Sequence, residues 1–235
     1  QMVNEHNFDR DELRQLFNKV EFQPKIIESI SRPAESKPWH QYRPIFLTER
    51  RIHGGVTFWQ ENSDILAQAE QTFGVPAHII VAIIGVETFY GRHKGKYRVI
   101  DALSTLGFGY PKRSRFFRGQ IIEFLLMARE EQRDPLSFVG SYAGAMGMPQ
   151  FIPSSFRNYA VDFDNDGKRD LWNNHADIIG SVANYFQRHK WMLDGAVTVR
   201  AEVSGSAYER FLNSGVKPSI SLTALQSAGI QLHKP

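Results

Sequence analysis

VPAHIIVAIIGVETFYG, residues 75–91, is the stretch whose reading decides the fold of this chain. Pro76 stands where a helix can begin, because the amide hydrogen it lacks has no partner in a first turn anyway. Ile79, Ile80, Val81, Ala82, Ile83, Ile84 and Val86 leave that helix no polar face, and a helix apolar all round belongs inside a protein. The run is too short to cross a bilayer. Near its end stands one acid, Glu87, among Val86, Phe89 and Tyr90, with Gly91 as the expected stop. A carboxyl group in apolar surroundings keeps its proton to higher pH, which suits a general acid. The same residue also reads as a glutamate that emerges into water as the helix ends.

The chain has 235 residues, of which 42% are hydrophobic, so it can bury a sizeable core and is not expected to be disordered. It contains no apolar run of roughly 18 residues and no signal peptide, so a soluble form is expected. Cysteine is absent, which excludes disulfides, thiolate catalysis and zinc–thiolate sites. The formal net charge is +3 and the isoelectric point is about 9.1. That mild excess suits an anionic polymer, though a solvated face is the commoner reason for it. The basic residues are scattered and match no nucleic-acid module, so nucleic acid is not an expected partner.

Periodicity predicts a mostly α chain with little sheet. Asp9 and Glu12 have capping-box spacing ahead of Leu13, Leu16, Phe17 and Val20. Further helices are expected over Pro24–Ile30, 44–53 (stopped by Gly54 and Gly55), 101–106, Ser114–Glu130, 177–189 and 222–228. Residues 32–43 read as an ordered connector, Ser63 as the cap of a helix carrying Ile65, Leu66, Ala69 and Phe73, and 196–203 as a strand.

Two stretches carry chemistry besides Glu87. Residues 141–155, SYAGAMGMPQFIPSS, place Gly144 and Gly147 around Ala145 and Met146, so something packs close to this backbone. Pro149 and Pro153 forbid a continuous helix there, and Gln150 both donates and accepts hydrogen bonds beside Phe151. Amides beside aromatic rings suit a sugar; they equally suit a tight packing turn. Residues 162–167 read DFDNDG, the opening of an EF-hand-like calcium loop with Asp162, Asp164 and Asp166 as alternate ligands. The carbonyl of Lys168 falls at position 7 and Asp170 at position 9; position 12 is Asn173 rather than glutamate, so Asp177 is the candidate for the last carboxylate. The alternative is a polar turn with Asp177 as a helix cap. An all-oxygen site suits calcium better than zinc.

Taken together, VETFYG, the 141–155 stretch and the acidic loop followed by IIGSVANYFQRHKW resemble the membrane-bound lytic transglycosylase B family of bacteria, over residues 39–191. The resemblance implies a lysozyme-like core with a structural calcium ion, no organic cofactor, and cleavage of peptidoglycan glycan strands. It implies Glu87 as catalytic acid and base, Ser141, Gln150 and Tyr185 lining the glycan cleft, and Lys112 and Arg113 meeting the peptide stem, with Lys112 where the family usually has arginine. It also implies a periplasmic monomer, with an outer-membrane lipid anchor on a longer form. The expected organisation is an N-terminal helical segment over 1–60, the catalytic core over 61–195, and a cut-short C-terminal segment over 196–235.

Ordinary glycosidases flank the scissile bond with two carboxylates. Only Glu87 offers itself here, because the aspartates look committed to a metal. One acid suffices where the substrate brings its own nucleophile, so the expected product is a 1,6-anhydromuramoyl end formed without water. The competing readings are a true lysozyme and a non-catalytic cell-wall-binding protein.

Overall fold

A computed structural model of the chain describes residues 1–32, 37–195, 197–212, 214–215 and 217–232. Contacts divide it into two units, Gln1–Trp191 and Met192–Pro235. The first unit opens with α1 (Met2–His6), α2 (Arg10–Phe17) and α3 (Pro24–Ile30). Asp9 caps α2 as its spacing predicts, accepting the amides of Asp11 and Glu12 at 2.8 Å each. Then follow α4 (Trp39–Phe46), α5 (Glu49–Glu61), α6 (Ser63–Phe73) and α7 (Ala77–Thr88).

Four expectations in this part need correction. Trp39–Arg43 is helical rather than connecting chain, and Pro33–Ser36 of the expected connector lie outside the described residues. The helix expected over 44–53 is broken at Leu47, and α5 starts afresh where Thr48 accepts the amide of Arg51 at 3.3 Å. Gly54 and Gly55 do not stop α5. They lie inside it because the Tyr90 ring packs on them, and a Cβ on Gly54 would stand 3.1 Å from that ring. Ser63 is the first residue of α6 rather than its cap; Asn62 holds the cap position, its side chain bonded back to the Phe58 carbonyl at 2.7 Å.

After β1 (Tyr97–Arg98) come α8 (Val99–Gly109), α9 (Ser114–Glu130), β2 (Val139–Gly140), α10 (Pro153–Tyr159) and α11 (His175–Arg188). α9 has the predicted bounds. α8 is longer at both ends than the pattern over 101–106 shows, because residues 99–107 are buried throughout and leave no period to read. α8 and α9 build one core, with Leu103, Leu106, Phe117 and Phe124 at most 2% exposed. A second core joins α6, α7 and α11 through Leu66, Ile80, Ile84, Ile178 and Ile179, all fully enclosed. Each such side chain contributes about 1.5–3 kcal/mol relative to exposure.

The sheet is small. β1 and β2 pair antiparallel, Tyr97 opposite Gly140 and Arg98 opposite Val139. Isolated bridges continue the pairing from Gly140 to Met146 and from Met146 to Phe151. The glycine-rich stretch is therefore folded back on itself beside β2. Gly144 and Gly147 have φ of 77° and 67°, and a Cβ on them would collide with Leu103 and with the Leu171 carbonyl. The close approach expected of this stretch is real. In the second unit, β3 (Ala201–Val203) pairs with β4 (Ile230–Leu232), and α12 (Leu222–Ser227) lies between them in sequence. The strand expected over 196–203 occupies only its last residues, and Ala196 is outside the described residues.

Candidate active site

Glu87 sits in the last turn of α7. It is exposed, and so are Ala82 and Val86 on the same helix. The apolar enclosure expected for this acid is thus not built by the chain itself. The reason lies in helix geometry: α5, α6 and α11 pack around α7 on the side of Ile80, Val81 and Ile84, and leave a stripe open. The helix stops at Thr88, three residues before the glycine expected to end it. Phe89, Tyr90 and Gly91 are all left-handed, with φ of 52°, 56° and 82°. Two bulky residues in that region are strained, and the surroundings must hold them there.

Thr88 supplies part of that hold. It is fully buried, donates its hydroxyl to the Met148 carbonyl at 2.9 Å, and accepts the amide of Gly91 at 3.1 Å. One hydroxyl thus ties the end of the helix carrying Glu87 to the loop carrying Gln150. Arg51, from α5, donates to the carbonyls of Gly85 and Val86, placing a cation on the negative end of α7.

Gln150 has φ 53°, and its Nε2 donates to the Gly147 carbonyl at 2.9 Å. Tyr185 projects from α11, stacked on His189 at 4.0 Å between ring centroids and packed against Phe151 at 5.6 Å. Glu87, Gln150 and Tyr185 line one cavity of about 220 Å³ together with Ile83, Phe151 and Phe186. Here a carboxyl group, an amide and a phenol share a wall with apolar rings. Ser141, Lys112 and Arg113 are elsewhere: none lines this cavity. The Ser141 hydroxyl accepts the amides of Ala143 at 3.3 Å and Ala145 at 3.1 Å, so it shapes the turn before Gly147. Lys112 and Arg113 lie in a short 3₁₀ turn, exposed, with the Arg113 guanidinium 4.4 Å from the Phe116 ring centre. Sequence reasoning missed Ile83, Phe186 and the tie through Thr88. A lone hydroxyl beside the acid on an otherwise apolar helix was the signal for the last.

In the acidic loop, carboxylate oxygens of Asp162, Asp164 and Asp177 lie within 4.8 Å of one another. Asp177 is fully buried and accepts the amides of Phe163 at 2.8 Å and Asp170 at 2.7 Å. Burial holds its pKa above the ordinary carboxylate value, against the pull of those amides. Asp164 is exposed, and its hydrogen bond from the Asn174 amide holds its pKa low. Asp166 stands apart from this trio, its carboxylate turned to the Lys168 amide at 2.9 Å. Asp170 is likewise turned inward, on the amides of Trp172 and Asn173. The clustered donors are all oxygen, which fits a hard divalent cation.

The family model described as "Transglycosylase SLT domain" matches residues 1–235. The chain is 43% identical over 244 residues to membrane-bound lytic murein transglycosylase B of Escherichia coli strain K12, covering all of this chain but 66% of that relative. It is also similar to the crystal structure of the soluble lytic transglycosylase SltB1 from Pseudomonas aeruginosa, with a TM-score of 0.94 and 52% identity over 99% of this chain and 79% of the other. Escherichia coli lytic transglycosylase Slt35, solved in complex with calcium, matches with a TM-score of 0.89 and 45% identity over 100% of this chain and 73% of the other. The mostly α, lysozyme-like fold is thus that of solved lytic transglycosylases. On a match that runs its whole length, the chain belongs to the transglycosylase SLT domain family.

Proposed function

We propose that this chain is a lytic transglycosylase of peptidoglycan that cuts the β-1,4 bond between N-acetylmuramic acid and N-acetylglucosamine. The observation that carries this reading is the shared wall of Glu87, Gln150 and Tyr185 in a chain of this family. Glu87 protonates the glycosidic oxygen, and the muramoyl acetamido oxygen captures the developing cation. The ionised Glu87 then removes the C6 hydroxyl proton as that oxygen closes the 1,6-anhydro ring, so no water is consumed. A sugar lying on Ile83, Phe151 and Phe186 displaces water from the exposed acid and gives it the low-polarity surroundings that protonation needs. Gln150 and Tyr185 orient the ring; Ser141 acts through the shape of its turn, and Lys112 with Arg113 meets the acidic peptide stem.

Calcium is the second part of the proposal. Asp162, Asp164 and Asp177 would hold the ion, with Asp166 and the Lys168 carbonyl as the further oxygen donors the loop offers. Its role is structural: it links the loop to α11, which carries Tyr185. The setting of such an enzyme is the periplasm, where the relative's murein substrate lies, and a lipid anchor on a longer form and a monomeric state belong to the same proposal. The test is the mass of products released from purified sacculi. Anhydro ends lighter by one water than hydrolysed ends are expected. Hydrolysed ends make the enzyme a lysozyme, and intact sacculi make the chain a wall-binding protein.

A further inference from the structure

The turn after Glu87 gathers three guanidinium groups on one ring. Arg51 and Arg92 stand 4.7 Å from the centre of Phe89, and Arg50 stands 5.5 Å from it. Phe89 is only 8% exposed, so this ring is a fixed base rather than a mobile one. Arg51 is engaged by the carbonyls at the end of α7. Beyond that ring, Arg50 and Arg92 have no polar partner: among the described residues neither forms an ion pair nor donates a side-chain hydrogen bond, and both are exposed. Both line a cavity of about 470 Å³, separate from the one at Glu87, with His53, Thr57 and His175 also on its wall. Glu61 is the acid on that wall, and among the described residues it forms no ion pair with either arginine.

Like charges held over one ring repel each other, and an anion between them removes the repulsion. We propose that this cavity binds a phosphate group, as the free ion or as a lipid headgroup. A carboxylate has two oxygens and fills one guanidinium fork. Phosphate carries more acceptor oxygens and up to two charges, so it can meet the forks of Arg50 and Arg92 together and still accept from the Thr57 hydroxyl. The two forks come from different elements, α5 and the turn after α7, so the bound anion also cross-links them. This site is independent of the cleavage reaction proposed above.

The test uses the whole chain. Inorganic phosphate and pyrophosphate are titrated by calorimetry at ionic strength held constant with chloride. Saturable one-to-one binding is expected, weakened about tenfold or more by the double substitution Arg50→Gln, Arg92→Gln. Glu61→Gln, which removes the opposing acid, is expected to tighten phosphate about fivefold. Co-sedimentation with phosphatidylglycerol vesicles but not with phosphatidylcholine vesicles, lost in the double variant, assigns the headgroup. Phosphate binding without such sedimentation assigns the free ion. A titration without saturation, or the same affinity in the double variant as in the wild type, overturns the proposal.

Discussion

At the scale of single residues, the candidate site rests on two neighbours with different duties. Glu87 is the proton carrier in the proposed reaction. Glu87→Gln keeps the shape and removes the acid, so lysis of cell walls is expected to fall by about 10²–10⁴ with the helical circular dichroism unchanged. A folded variant that still lyses walls at a comparable rate removes Glu87 from that role. Thr88 touches no sugar in the proposed reaction; it holds the Met148 carbonyl and the Gly91 amide. Thr88→Val leaves both groups enclosed without a partner, at a cost of about 1–3 kcal/mol. The loop carrying Gln150 then loses its register with Glu87. The expected result is a kcat loss larger than any change in KM, restored by Thr88→Ser. A valine variant with wild-type kcat shows the tie to be packing alone. Glu87 was legible in the sequence as the odd acid of an apolar helix, but its exposure was not. Which face of α7 stays open depends on α5, α6 and α11, and an all-apolar pattern carries no sign of it.

Among elements, the acidic loop and α11 form the pair with the clearest test. Asp162, Asp164 and Asp177 crowd their oxygens together, and such crowding costs stability until a cation offsets it. Binding to the folded state alone stabilises it by about 2.7 kcal/mol at a hundredfold excess of ion over Kd. Calcium is therefore expected to raise the melting temperature of a metal-stripped sample by roughly 5–10 °C, with Asp164→Ala erasing the shift. Identical melting with and without calcium makes the loop a polar turn. That Asp177 comes to Asp162 and Asp164 was readable from the DFDNDG run and the asparagine at position 12, because the residues that meet are near in sequence. The course of α5 was not. Gly54 and Gly55 look like a stop until Tyr90, far along the chain, is seen to need the room. Glycine records a close approach without naming what approaches.

Over the whole molecule, the inward faces of α6 and α9 were legible as apolar periodicity, and the bounds of α9 followed from its one-sided pattern. α8, buried on every side, hid its own ends. Global stability also carries a titration. Burial holds the His175 pKa below its ordinary 6.5, with Glu61 opposing and Lys94 adding to the shift. The unfolded chain therefore takes up this proton first as pH falls. The stability tied to neutral His175 is complete above pH 6.5, and is lost as pH falls from there to the lowered folded-state value. His175→Gln is expected to flatten urea-unfolding midpoints over that acid range; the same slope as wild type assigns it to other groups. One feature of the fold reaches further. The Tyr90 ring lies on Gly54, Gly55 and Gly85, and burial raises its pKa although Arg51 pulls it down. Ionising that phenol puts a charge in the slot between α5 and α7, two residues along from the end of the helix that carries Glu87. An alkaline absorbance titration of the wild type minus that of Tyr90→Phe is therefore expected to show, without any label, this phenol ionising above the ordinary tyrosine value of 10.0; ionisation at or below that value shows the ring to be open to water. The chain carries its own optical reporter next to the proposed acid.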